Sequence, residues 1–212
     1  MDAIDFPIPS ECCQEGASHC LGNAIRLLQQ SVLLFRNEMY LTSCGLAIIA
    51  LEEIGKGIEL FGAFRSEEDV TKTKWNKLTR YGAHLKKIRT GRSIAMKHME
   101  DRFQSILPKL RRLTESEYEE ARRVLAKHYQ WWKKQCFYVD WNQSNWIVPS
   151  KYSRQVQILY AFMEIVNSFE GCKALAKELG RDTSNIEKSS DEFERISSQK
   201  LDYLLGWKRD ES

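Results

Sequence analysis

The chain is predicted to be all-α, an antiparallel bundle of helices with a C-terminal helical extension. Three observations carry this. Gly and Pro are sparse, 11 and 4 in 212 residues. Charged residues interleave with Leu, Ile and Val at spacings of three and four, and no Val/Ile/Thr run alternates with period two. The length suits one domain with a real core, or one domain plus a small extension.

The first helix is expected over Glu11 to Phe35. Ala17, Leu21, Ala24, Ile25, Leu28, Val32 and Phe35 form its apolar stripe, Ser10 supplies a cap, and Glu11 puts an acid in the first turn. Asn37 to Tyr40 makes the corner into the second helix, and the two form an antiparallel hairpin. That second helix, Leu41 to Phe61, is apolar around most of its circumference and should be buried. At 100° per residue Gly45, Ile48, Ile49, Glu52, Lys56 and Glu59 share one face. Buried charge is costly unless paired, and Glu52 and Lys56 stand in the favoured order for an intrahelical ion pair. Either they are a satisfied structural pair, or with Glu59 they line a polar cleft where this helix meets a partner.

Charge is unevenly distributed beyond this point. From Lys72 to Lys134 there are 18 Lys and Arg against 6 Asp and Glu, a balance of +12; the rest has 14 against 23, or −9, within an overall +3. Trp75, Tyr81, Phe103, Tyr118, Tyr129, Trp131 and Trp132 are interleaved with the basic residues. Such a stretch suits an anionic polymer, with phosphates met by Lys and Arg and bases stacked on rings. It equally describes solvated helix faces whose aromatics point into the core. Lys86, Lys87, Arg89, Arg92, Arg122 and Lys127 are its candidate RNA contacts.

A third helix carries His84 and Arg92-x5-His98 and is ended or kinked by Pro108. A fourth runs from a capping box, Thr114-x-x-Glu117, to Cys136, and holds Arg123-x4-His128. On an ideal helix that spacing separates the two side chains by about 140°. Tyr138 to Ser150 is expected to be a short irregular loop rich in turn-forming polar groups. A helix then starts at Ser150 or Ser153 and runs to Leu179, stopped by Gly180. Arg181 to Ser190 reads as a polar linker, followed by a short amphipathic helix over Asp191 to Leu205.

The six cysteines are expected to be reduced thiols, partly buried. Cys12, Cys13, His19 and Cys20 lack paired C-x2-C knuckles, and a helix would spread them along its length, so no metal site is expected. The longest near-apolar run, Cys44 to Leu51, is far short of the ~20 residues that cross a bilayer. The acidic, proline-containing first residues do not read as a signal peptide. A cytoplasmic chain without membrane partners is the expectation.

ALEEIGK (Ala50 to Lys56), His84-x-x-Lys87, and FYVDW (Phe137 to Trp141) followed by Trp146 and Pro149 resemble the AbiV type of bacterial abortive-infection protein, within the HEPN superfamily of small helical bundles. The resemblance runs from about Ala17 to about Phe169, and a HEPN-like domain is expected over residues 1–180, with the linker and last helix over 181–212. It implies a homodimer, activation by a phage-encoded protein, and antiphage defence by shutting down translation. It also implies a metal-independent, cofactor-free endoribonuclease as the candidate activity, with RNA as a partner. Many HEPN nucleases pair Glu-x3-Lys on the second helix with an Arg-x(4–6)-His signature. Glu52 and Lys56 match the first, and Arg123 and His128 fit the second; Lys133, Tyr138 and His84 form the alternative set. In the first arrangement Arg123 or a neighbouring lysine would bind the scissile phosphate and His128 would move the proton, with Glu52, Lys56 and Glu53 ordering the cleft. Tyrosine, with an ordinary pKa near ~10, would be a poorer proton carrier, so the Tyr138 arrangement implies weak or absent cleavage. The rival reading is a non-catalytic effector that binds a phage protein or part of the translation machinery.

Overall fold

The long apolar stripes become long helices. The computed structural model describes residues 7–79, 86–88, 90–91, 136, 140–142, 145–147 and 154–205. Among these are α1 (Ser10–Arg36), α2 (Tyr40–Arg65), α3 (Lys72–Thr79), the strands β1 (Asp140–Asn142) and β2 (Asn145–Ile147), α4 (Arg154–Glu178) and α5 (Ser184–Leu205). Residues 86–88 and 90–91 are also helical. The architecture is all-α, as the residue spacing predicts.

α1 and α2 pack antiparallel. Ser31 and Ser43 meet near the corner, where each hydroxyl bonds the other residue's carbonyl at 2.7 and 2.8 Å. At the far end Gly16 lies against Leu60, and Gly57 against Cys20 and Ala17. α4 runs parallel to α2: Ser168 donates to the Ala47 carbonyl at 2.9 Å, Gly171 faces Ile54, and Leu175 faces Gly57. Ala47, Ile48, Ala50, Leu51 and Ile54 are completely buried, as expected for a helix apolar all round.

Three local expectations are corrected. Ser10 is not the α1 cap: Pro9 holds that position without a side-chain bond, and the Ser10 N–H is met by Asp69 Oδ1 at 3.0 Å, from 59 residues away. An antiparallel bridge between Ile8 and Val70 brings that carboxylate into place. The stretch read as an irregular loop contains a small antiparallel hairpin, with Trp141 opposite Trp146 and Asn142 opposite Asn145. The polar linker is mostly helix, because α5 begins at Ser184, where Asp182 accepts from the Ser184 N–H and hydroxyl at 3.0 and 2.6 Å.

The C-terminal extension, α5, packs onto the bundle. Its Phe193 is 1% exposed and sits among Phe35, Phe162 and Phe169, with ring centroids 5.2, 5.8 and 6.2 Å away. A buried ion pair, Lys173 to Glu170 at 2.7 Å, reaches Ser190 of α5 at 3.4 Å. The expected stop of α4 is present: Gly180 takes φ +64°, where an L side chain would be strained.

Candidate functional site

The charged face of α2 is met by the helical residues 86–88 and 90–91, and glycine is the reason they come so close. A Cβ at Gly55 would lie 1.9 Å from the Lys87 carbonyl oxygen, and one at Gly91 would lie 2.3 Å from the Leu51 carbonyl oxygen. Backbone therefore touches backbone, one helical turn from Glu52 and Glu59. Any larger residue at either position would push the second segment away.

Three acids and three lysines gather at this crossing. Lys56 Nζ bridges to Glu53 at 2.7 Å, both largely shielded from solvent. The expected Glu52–Lys56 pair is thus corrected: the lysine's salt bridge is to Glu53, three residues back instead of four. Glu52 faces inward, is 3% exposed, and has interactions of its own. One turn on, Glu59 uses both oxygens, Oε2 accepting from Lys86 Nζ at 2.7 Å and Oε1 from Thr90 Oγ1 at 3.2 Å. Lys87 is only 6% exposed. It sits within the protein, where a lysine expected to meet RNA phosphate was placed on the surface by sequence reading. Lys86 is half-exposed and already paired.

Cys20 of α1 completes the surroundings. Burial pushes its thiol up to about 11, while Lys56 and Lys87 pull it down and Glu53 pushes it up. A neutral thiol in this position packs as a small apolar group. Among the described residues no group of three His, Cys, Asp or Glu is arranged to hold a metal ion. None of the described helices is long and apolar enough to cross a membrane.

The structure thus brings Glu52, Lys56, Lys86 and Lys87 of the candidate residues together. His84, Arg89, Arg92, Arg122, Arg123, Lys127, His128, Lys133 and Tyr138 lie outside the described residues, as do the two capping-box residues Thr114 and Glu117. Sequence reading missed Thr90, the bidentate use of Glu59, and the two contact glycines. Gly55 carried a legible signal, since it is one of four glycines (Gly45, Gly55, Gly57 and Gly62) in a helix interior, where glycine is unfavourable.

The helix order and the acid–lysine face of the second helix define a HEPN-like helical bundle. A family model described as AbiV, of the HEPN type, matches residues 12–168, about three quarters of the chain. The chain belongs to the AbiV family of abortive-infection proteins. Neither the curated proteins nor the solved structures gave a match.

Proposed function

We propose that this protein is an antiphage abortive-infection effector that blocks translation in infected cells by cutting RNA as a metal-independent ribonuclease, acting as a homodimer in the cytoplasm. The observation that carries the reading is the crossing at Gly55 and Gly91, which brings the Lys87 backbone against the turn of α2 between Glu52 and Lys56, beside the Glu59–Lys86 pair. Acids and lysines held close on a rigid backbone are what positions a phosphate and its attacking hydroxyl. The basic stretch from Lys72 to Lys134 would carry the RNA strand.

In this reading Arg123 stabilises charge developing on the scissile phosphate, and His128 transfers the proton to or from the 2′-hydroxyl or the leaving oxygen. Glu52, Glu53 and Lys56 hold the cleft's shape. The test is cleavage of total RNA and tRNA by purified protein in excess chelator, with and without a phage-encoded activator, beside His128→Ala and Glu52→Gln. Loss of cleavage in both folded variants supports the assignment. Full cleavage by His128→Ala moves the chemistry to Tyr138, tested by Tyr138→Phe.

A second reading has its own support. Lys56 and Lys86 already have carboxylate partners, and Lys87 is buried, so the charges at the crossing also suit a structural role. A non-catalytic effector would then use the basic, aromatic-rich middle to bind a phage protein or part of the translation machinery. Absence of cleavage with activator present, together with recovery of a stable complex, would favour it.

A further inference from the structure

Glu59 stands out at the crossing because its two oxygens are shared between an ammonium and a hydroxyl from the same segment. Lys86 and Thr90 are four residues apart, and both project onto Glu59. An ammonium and a hydroxyl that converge on two oxygens of one anion form a donor set that suits phosphate as well as carboxylate. Glu59 is a quarter exposed and Lys86 more than half, so a dissolved anion can reach both.

The Glu59–Lys86 pair adds little to stability. A partly exposed ion pair contributes little, and the segment is already held by backbone contact at Gly55 and Gly91. Removing the Glu59 charge would therefore free Lys86 and Thr90 without displacing them. Lys56 is engaged by Glu53, so it does not compete for Glu59.

We propose that Glu59 is an internal stand-in for a phosphate, keeping Lys86 and Thr90 occupied until a phosphate of bound RNA displaces it. The crossing is then self-inhibited at rest, with an affinity threshold set by one carboxylate. That the displacing phosphate comes from RNA rests on the function proposed above; the anion site itself does not.

The experiment compares the wild type with Glu59→Gln and with Glu187→Gln, an equal charge change on the exposed face of α5. Each protein, carrying labelled threonine methyls, is titrated with inorganic phosphate at constant ionic strength, and the Thr90 signal, assigned through Thr90→Ser, is followed. Binding of a short single-stranded RNA is measured alongside, with thermal melts as the check on folding. Glu59→Gln should show saturable phosphate binding at Thr90, and should hold the RNA about 3- to 10-fold more tightly than Glu187→Gln does. Adding Lys86→Gln should abolish that gain. A Thr90 response in Glu59→Gln no larger than in Glu187→Gln overturns the inference, whether or not the protein cuts RNA. A phosphate gain at Thr90 with no RNA binding by any of the proteins would keep the anion site and sink the RNA reading.

Discussion

Gly55 shows how much one missing side chain decides. Its Cα is where α2 and the 86–91 segment touch, and a methyl group there would overlap a backbone carbonyl that has no rotamer to escape into. Gly55→Ala should cost about 3 kcal/mol or more, because two packed segments must separate. Gly62 lies on the same helix with nothing within 4 Å of its would-be Cβ. Gly62→Ala should stabilise by about 0.5–1 kcal/mol, by restricting the unfolded chain. Chemical denaturation of the two variants measures both, and equal effects would refute the contact. The residue scale is also where the sequence was least legible. Spacing pointed to Glu52 as the partner of Lys56, but Glu52 turns inward and the salt bridge goes to Glu53. Lys87 looked like a surface cation because nothing in its neighbours announces that its carbonyl lies against a glycine.

At the scale of elements, periodicity predicted well wherever large apolar residues line a helix. α1, α2 and α4 fall within a few residues of their expected ends. α5 was misjudged at its start because it buries small polar residues: Ser190 and Ser197 are completely inside, and hydroxyl groups read as solvent-facing. The hairpin at 140–147 was missed because a three-residue strand is too short for alternation to be visible. If α5 belongs to the core, Phe193→Ala should cost about 3–5 kcal/mol; a dispensable extension would lose almost nothing in the same denaturation experiment. The start of α5 also has a pH signature. Bonds from the Ser184 hydroxyl, then from its N–H, hold the Asp182 carboxyl below its ordinary 3.8. A depressed acid stabilises above its unfolded pKa and loses that contribution as pH falls through the folded value. The stability gap between wild type and Asp182→Ala should therefore be constant near neutrality and close below about pH 4. At the other end of the chain Asp69→Ala should cost about 1 kcal/mol, the usual value of a helix cap.

Across the whole molecule the thiols report how complete the core is. Cys12 is exposed, while Cys13, Cys20, Cys44, Cys136 and Cys172 are buried and unbridged. Burial pushes the Cys172 thiol up to about 12, and a hydrogen bond with Cys136, reinforced by burial, raises Cys44 well above its ordinary value. Titration with a thiol reagent at pH 8 should therefore show one fast cysteine in the native protein and all six after denaturation. Several fast thiols would mean that the helices do not close over one another as described.

The parallel run of α2 and α4 has a consequence for how the protein is made. Ser168 reaches back 121 residues to Ala47, and Arg36 pairs with Glu192 across 156. Translation at roughly 5–20 residues per second puts several seconds, up to about twenty, between the emergence of α2 and that of α4. Throughout that interval the face of α2 that meets α4 lacks that partner. Nascent copies should thus be clients of ribosome-associated chaperones, and contacts this distant in sequence delay completion of the core until after release.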